Sequence, residues 1–455
     1  MSKAMKWRKP AVWLAPLFLV VTFTLGGGAR ADITSLVFLR PLAALFLGVG
    51  ILNLRRDDIE RHRMLFGCLV AVGVLALVQL IPLPPALWHQ LPGHQIVRDI
   101  DAALGLGGVW RPISLAPNGT LNALLSLLVP AALLVHVAKL DTAGVRRLVV
   151  ILIFLGLFSA IIGIAQAVGP RGGGLYFYRI TNQSFAVGLF ANRNHQAVVL
   201  ACLFPMLAAF ASFPAKLASN AKMRLVLVLL AGVALIPLLL ITGSRLGVGL
   251  GALGILAARW VYRAPDTPSV KRRESKPRNY TPLIVATAVI GLVVITALLA
   301  QVSVFGRFTD ASDALTDIRF RVWQPIMEAT WVFFPFGSGL GSFAEVYRIY
   351  EPTELLRATY LNHAHNDLLE VCLTAGVAGL AIICVASASL ARSLVRTARS
   401  RYVDSEISPL NRMGAAVVVM LAIGSLVDYP LRTPSIACIF ILAAVCLRHD
   451  RTTDR

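Results

Sequence analysis

The chain has 455 residues, of which 57% are hydrophobic and only 15% charged, and its mean hydropathy is +0.73. A soluble protein of this length could not hide so much apolar surface, so a soluble globular enzyme is excluded and a polytopic membrane protein is implied. The formal charge of +20 and the pI near 10.4 invite a nucleic-acid reading, but that needs a basic soluble face, and the basic residues here are spread between apolar segments.

About twelve stretches approach the ~20 residues needed to cross a bilayer. They lie near 11–28, 33–54, 64–81, 120–138, 148–169, 196–214, 224–242, 244–262, 282–302, 366–391, 412–428 and 433–448. The expected fold is therefore all-α, a polytopic integral membrane protein with about 12 transmembrane helices and a long helical outer loop before the tenth. With the N-terminus in the cytoplasm, the inner connections carry Lys3 to Lys9, Arg55 to Arg63, Lys139 to Arg147, Lys216 to Arg224, Arg259 to Arg278, Arg392 to Arg412 and Arg448 to Arg455. These hold about two thirds of the 43 basic residues and nearly all of the net charge, as the positive-inside rule requires. Both termini then lie in the cytoplasm.

Lys3 to Lys9, the apolar run from Ala11 to Leu25 and Ala29-Arg30-Ala31 imitate a cleavable signal peptide. The many spans that follow favour an uncleaved first helix. The six cysteines all sit in apolar stretches without CxxC pairing, so neither a disulfide framework nor a zinc site is indicated.

Two outer loops come early. Residues 82–118 contain Pro82, Pro84, Pro85, Trp88 and Trp110, which suits a short re-entrant or surface-lying segment. Residues 169–190 contain Arg171, Tyr176, Tyr178 and Arg179, read as interfacial anchors or as groups that stack on a sugar chain. Asn192, Arg193, Asn194 and His195 then open the sixth helix. That places either an anion site or an asparagine cap with a snorkelling arginine at its start. Arg245 falls in the very short turn ITGSR, where burying an unpaired guanidinium costs at least ~2.5 kcal/mol. It calls for an anionic partner, a carboxylate or a ligand phosphate.

The segment from Arg259 to Tyr280 reads as a basic, disordered cytoplasmic linker. The longest outer segment, 303–365, includes a predicted helix with Ile318, Val322, Ile326 and Ala329 at 3- and 4-residue spacing, and Arg319 and Arg321 near its start. FPFGSGLGSF follows. Its glycines imitate a phosphate-binding turn, but no strand precedes it, so a flexible loop is expected and a dinucleotide site rejected.

Next comes LNHAHNDLLEVCLTAGVAGL, residues 361–380. His363, His365, Asn366 and Asp367 stand at the mouth of an apolar helix, where polar groups are costly unless they face water, protein or substrate. Gly376 and Gly379 are expected to give the helix a smooth face for a close neighbour. The histidines fit two readings: a pair that caps and snorkels at a helix start, or a base held at the membrane surface for proton transfer near neutral pH. Asp428 and Arg432, in the last outer turn, are read as a structural ion pair or as the edge of an acceptor cleft.

His365-Asn366, nine residues, then Gly376-Val377-Ala378-Gly379 resembles the signature of the O-antigen ligase and O-antigen polymerase superfamily. The opening FANRN before the sixth helix, the S-R-x-G at Ser244-Arg245, and the order of arginine, tryptophan, Pro, G-x-G and His-Asn over residues 319–366 resemble that group too. The likeness spans about Gly188 to Leu380 and divides the chain into N-terminal helices (1–187), a ligase/polymerase-like core (188–391, with the periplasmic loop 303–365) and C-terminal helices (392–455).

The resemblance implies a metal-independent glycosyltransferase of the bacterial inner membrane that needs no cofactor. It would take a glycan from an undecaprenyl-diphosphate carrier at the periplasmic face and pass it to a glycan or to a lipid A-core acceptor. His365 corresponds to the essential histidine; Arg193, Arg245 and Arg319 or Arg321 to the arginines on the diphosphate; His363 and Asn366 flank the site. Membrane lipids are implied as partners, polysaccharide-export proteins are candidate partners, and nucleic acid is not. PLPPALWHQLPG leans toward the exopolysaccharide polymerases of the group. The rival from another class is a multi-spanning transporter of an envelope precursor, for which paired half-repeats and mid-membrane ionisable groups would be the sign.

Overall fold

The computed structural model describes residues 8–170, 172–215, 217–265, 312–356, 360–399 and 407–448. Among the described residues every regular element is helical, and the one extended pairing is an isolated bridge between Leu83 and Arg111. In chain order the helices are α1 (Arg8–Leu25), α2 (Leu36–Leu52), α3 (Arg56–Arg61), α4 (Arg63–Leu80), α5 (Pro85–Trp88), α6 (Gln95–Ala103), α7 (Pro117–Ser126), α8 (Leu128–Val137) and α9 (Thr142–Val168). They continue with α10 (Arg193–Ala211), α11 (Ala218–Ile241), α12 (Arg245–Val261), α13 (Ser312–Phe333), α14 (Phe343–Tyr350), α15 (Asp367–Arg399), α16 (Ser408–Val427) and α17 (Pro434–Leu447). All the expected apolar stretches but one coincide with helices. The exception, 282–302, lies outside the described residues, as do most of the basic linker and residues 303–311.

Among the described residues, seven segments are long and apolar enough to cross a membrane: α4, the continuous α7–α8 unit, α9, α10, α11, α15 and α16. The apolar part of α1, with α2 and α17, forms shorter apolar helices. Apolar helices of this length satisfy their own backbone groups, which is what a bilayer demands. At the centre stands α10, buried over almost its whole length against α9, α11, α12 and α16. Beyond its polar first turn its sequence is apolar all round, the pattern of a helix enclosed by others.

A second, smaller core sits beside this bundle. Val322, Ile326 and Ala329 of α13 are buried against Phe343, Val346 and Tyr347 of α14 and Leu373 of α15. The 3- and 4-residue spacing read from sequence thus marks the inward face of α13. The side chain of Ile318 lies outside the described residues.

Three local expectations are corrected. FPFGSGLGSF is wedged rather than flexible: Gly337, Gly339 and Gly341 adopt positive φ, and Ser338 and Ser342 are fully buried. Ser338 N donates to Leu373 O and Gly339 N to Thr374 O, both at 2.9 Å. Gln79 of α4 closes the joint from the far side. Its Nε2 donates to Thr374 O at 3.0 Å and its Oε1 accepts from Leu340 N at 2.8 Å. Second, Gly376 offers no smooth face. With φ 56° and ψ −146° it breaks α15, and Val377 N turns to donate to Pro335 O at 2.9 Å. Third, Tyr178 is an interior residue, its hydroxyl accepting from Gly27 N at 2.8 Å. Trp88 is buried likewise, with its indole N–H donating to Val109 O, whereas Trp110 is exposed. Polar atoms on large rings tolerate burial when a backbone partner is in reach.

Candidate functional site

Three helix starts build the site. Asn192 caps α10, accepting from Asn194 N at 2.8 Å, and Ser244 caps α12, accepting from Gly247 N at 3.0 Å. Asn366 caps α15 by accepting from Leu369 N at 3.0 Å. Short polar side chains at these positions satisfy amides that a helix leaves open. Asn194 joins two of the starts: its Oδ1 accepts from Ser244 Oγ at 2.8 Å, while its Nδ2 donates to Asp428 Oδ2 at 2.6 Å.

Asp428 ends α16, and its carboxylate is fully buried. Its Oδ1 accepts from Tyr429 N at 3.0 Å and lies 3.1 Å from Nδ1 of His365. His365 itself is outside the helix, at φ 50°, a backbone region that side chains rarely enter. It is held by its carboxylate and by the turn it occupies. The ring stays 15% exposed, open enough for a reactant while its partner is sealed.

A second pair stands next to it. His363 Nδ1 is 3.0 Å from Glu370 Oε1, and Glu370 Oε2 accepts from Ala364 N at 2.9 Å. Arg432 reaches the same Oε1 at 3.1 Å and Asp367 Oδ1 at 2.9 Å. Burial opposes the charge of Arg432, and Glu370 and Asp367 more than offset it, so its pKa is raised and it remains a fixed cation. Asp428 and Arg432, read from sequence as partners of one another, thus anchor two neighbouring networks. Between them lies Tyr429, whose ring centroid is 4.5 Å from that of His363, 4.9 Å from His365 and 5.2 Å from His195. His195 in turn has Thr433 Oγ1 2.8 Å from its Nδ1. Trp323 of α13 donates to Ala364 O at 3.2 Å and ties the outer helix to the histidine turn.

The expected arginines are placed as follows. Arg193 and Arg245 are the first residues of α10 and α12, the two helices that Asn194 and Ser244 fasten together. The Arg193 guanidinium stacks on Phe185, 4.2 Å from the ring centroid. A Cβ on Gly243 would come 3.2 Å from its Nη1, so Arg193 lies against the turn that carries Arg245. Arg245 is exposed. Arg321 is exposed on α13 and joins none of these contacts; Arg319 is on the same helix, its side chain outside the described residues. The structure thus brings His363, His365 and Asn366 together, and sets Arg193 and Arg245 at adjoining helix starts.

Sequence reading missed Glu370 and undervalued Asp428. A carboxylate one turn inside an apolar helix is itself a signal, because it needs a cation or donor there. For Asp428 no local pattern exists, since its histidine is 63 residues away. Among the described residues no group of three or more His, Cys, Asp or Glu side chains is arranged to hold a metal ion.

Chemically, the cluster offers a histidine oriented by a buried carboxylate, beside cations at helix N-termini. No curated protein matches the chain. Residues 230–384 match the sequence model of a family described as O-antigen ligase, a span that includes Arg245, Arg319, Arg321, His363, His365, Asn366 and the broken turn at Gly376. The match covers less than half of the chain and supports the likeness to the O-antigen ligase and polymerase superfamily read from its motifs.

Proposed function

We propose that this protein is a membrane glycosyltransferase that moves a glycan from an undecaprenyl-diphosphate-linked donor to a hydroxyl acceptor at the periplasmic face of the inner membrane. The observation that carries the assignment is the 3.1 Å pairing of His365 Nδ1 with Asp428. With the Nδ1 hydrogen donated to Asp428, the other ring nitrogen presents its lone pair to an incoming hydroxyl. His365 takes the hydroxyl proton as the oxygen attacks the anomeric carbon. The bond from that carbon to the diphosphate breaks, and undecaprenyl diphosphate departs with the electron pair. By analogy with the ligases, the anomeric carbon is inverted.

Arg193 and Arg245 would hold the diphosphate. Guanidinium groups bind phosphate oxygens bidentately, and the N-termini of α10 and α12 add positive potential where charge grows on the leaving group. Arg319 and Arg321 would approach from α13. Phosphate chemistry is thereby assigned to arginines, and no metal is needed. His363 is a positioning residue, because Glu370 also serves Arg432 and the backbone. The proposal includes twelve spans, with 282–302 as the ninth, cytoplasmic termini and the α13–α14 region in the periplasm. Acceptor choice separates a polymerase, which extends another lipid-linked repeat, from a ligase acting on the lipid A core.

The test is the surface-glycan profile of a deletion strain complemented with wild type or His365→Ala. Single repeats on the core, or loss of secreted polymer with short lipid-linked repeats, would identify a polymerase. Long polymer stranded on the carrier would identify a ligase. Full rescue by His365→Ala would remove the catalytic assignment.

A further inference from the structure

A cavity of about 430 Å³ opens far from the histidines, where α3 and the start of α4 face the second half of α15 and the end of α17. Among the described residues its charged lining is Arg61, Arg63, Arg392, Arg396 and Arg448, with one carboxylate, Glu60, and its neutral polar lining is Ser389 and Ser393. Glu60 already pairs with Arg56 at 3.4 Å on the surface of α3. Five guanidiniums therefore line one cavity with little compensating charge among the described residues. Arg448 shows the strain of this. Burial pushes its guanidinium down; Cys68 opposes that, and Arg396 and Arg63 add to it. Arg448 donates to Ser389 Oγ through Nη2, but its buried Nε has no hydrogen-bond partner.

Clustered like charges are disfavoured unless an anion gathers them, and a phosphate with several oxygens can bridge more than one guanidinium. The cavity is distinct from the histidine site. Asp367 and Arg392 are both on α15, separated by roughly 38 Å at ~1.5 Å per residue, an upper bound given the break at Gly376. On the topology proposed above, this end faces the cytoplasm.

The walls favour a lipid over a soluble anion. Met64 and Val385 line the cavity beside the arginines. Beyond Met64, α4 leaves Val70, Val74 and Leu77 exposed, an apolar track leading away from the charged mouth. A headgroup among arginines with acyl chains along α4 fits that layout, and basic pockets between helices at a cytoplasmic membrane surface recognise anionic headgroups. We propose that this cavity holds the phosphate-bearing headgroup of an anionic membrane phospholipid, packed against α4 and α15.

The experiment uses the full-length protein in nanodiscs of phosphatidylethanolamine alone or with phosphatidylglycerol or cardiolipin. Thermal unfolding and native mass spectrometry are the readouts. Anionic lipid should raise the unfolding midpoint by several degrees and remain bound to the wild type. The triple variant Arg63→Gln, Arg396→Gln, Arg448→Gln should bind it about tenfold more weakly. Should the triple variant fail to fold in phosphatidylethanolamine, Arg61→Gln with Arg392→Gln carries the same comparison. Equal lipid retention and equal midpoint shift in wild type and variant would overturn the site. An equal rise with inorganic phosphate or pyrophosphate in phosphatidylethanolamine discs would overturn the lipid assignment and leave a soluble phosphate as the ligand. Neither readout depends on glycan transfer, so this inference and the proposed activity stand or fall separately.

Discussion

Asp428 Oδ1 and His365 Nδ1 meet at 3.1 Å although 63 residues separate them in the chain. The carboxylate is fully buried and the imidazole is still 15% exposed. One partner is therefore fixed by the protein, and the other is oriented yet open to a reactant. His365→Ala is expected to lower transfer by roughly 10²- to 10⁴-fold, the range for losing a positioned base, while the protein remains folded in the membrane. His363→Ala should be milder, because Glu370 keeps Arg432 and Ala364 N. Glycan profiles normalised to membrane protein level make the comparison. Equal loss in both variants would merge the two histidines into one role.

Asp428→Asn tests the orienting carboxylate. The native oxygens accept from His365, Tyr429 N and Asn194 Nδ2. An amide offers one acceptor atom and must turn donors toward a donor. A cost of about 1–3 kcal/mol follows for a buried group left unmatched, together with an activity loss approaching that of His365→Ala. Unfolding midpoint and transfer rate are measured together. Unchanged transfer with a lowered midpoint would make Asp428 purely structural.

Much of this was legible in the chain. Hydropathy located the apolar helices because each satisfies its own backbone, so about 20 apolar residues carry their own evidence. The spacing of Val322, Ile326 and Ala329 marked a face that is buried. His365 stood out as a titratable group at a helix mouth. What sequence did not disclose is pairing at a distance. Asp428 and Arg432 are four apart and look like mates, yet Arg432 is drawn to Glu370 and Asp367 by helix packing. The glycines at 376 and 379 have the spacing of a smooth helix face. The carbonyl of Pro335, on a distant loop, accepts from Val377 N and favours the break at Gly376.

Arg193 and Arg245 are expected to act on the donor. A charge-assisted hydrogen bond contributes about 1.5–3 kcal/mol, so Arg193→Ala and Arg245→Ala should each lower kcat/KM for the lipid-linked donor by roughly 10- to 100-fold. Lysine should restore only part, since it lacks the bidentate fork. Transfer should continue in EDTA. Steady-state kinetics with purified donor decide the matter: unchanged kcat/KM in both alanine variants would remove the diphosphate assignment.

Gly376→Ala should be severe. The backbone there is at φ 56° and ψ −146°, and an added Cβ would lie 2.0 Å from Pro335 O. Backbone strain alone costs about 1–3 kcal/mol, and the loop 334–341 would have to leave its seat on α15. Gly249→Ala in α12 is the control, because nothing stands within 4 Å of its Cβ. Expression level and unfolding midpoint should fall for the first and hold for the second. Similar behaviour of both would mean that the break at Gly376 contributes little.

Arg432→Met should destabilise most through what it leaves behind. Glu370 is 1% exposed and Asp367 17%, and Arg432 contacts both. Removing one partner of a buried pair costs about 3–5 kcal/mol because the remaining charge is stranded, whereas removing both sides with good packing can be close to neutral. The double variant Arg432→Met with Glu370→Gln is therefore expected to recover a large part of the lost stability. Transfer should recover less, since the single amide oxygen of Gln cannot accept from both His363 Nδ1 and Ala364 N, as the two oxygens of Glu370 do. Unfolding midpoints of wild type, the two single variants and the double variant form the cycle. A double variant no more stable than Arg432→Met would show that the cation contributes through packing, with the stranded carboxylate a minor cost.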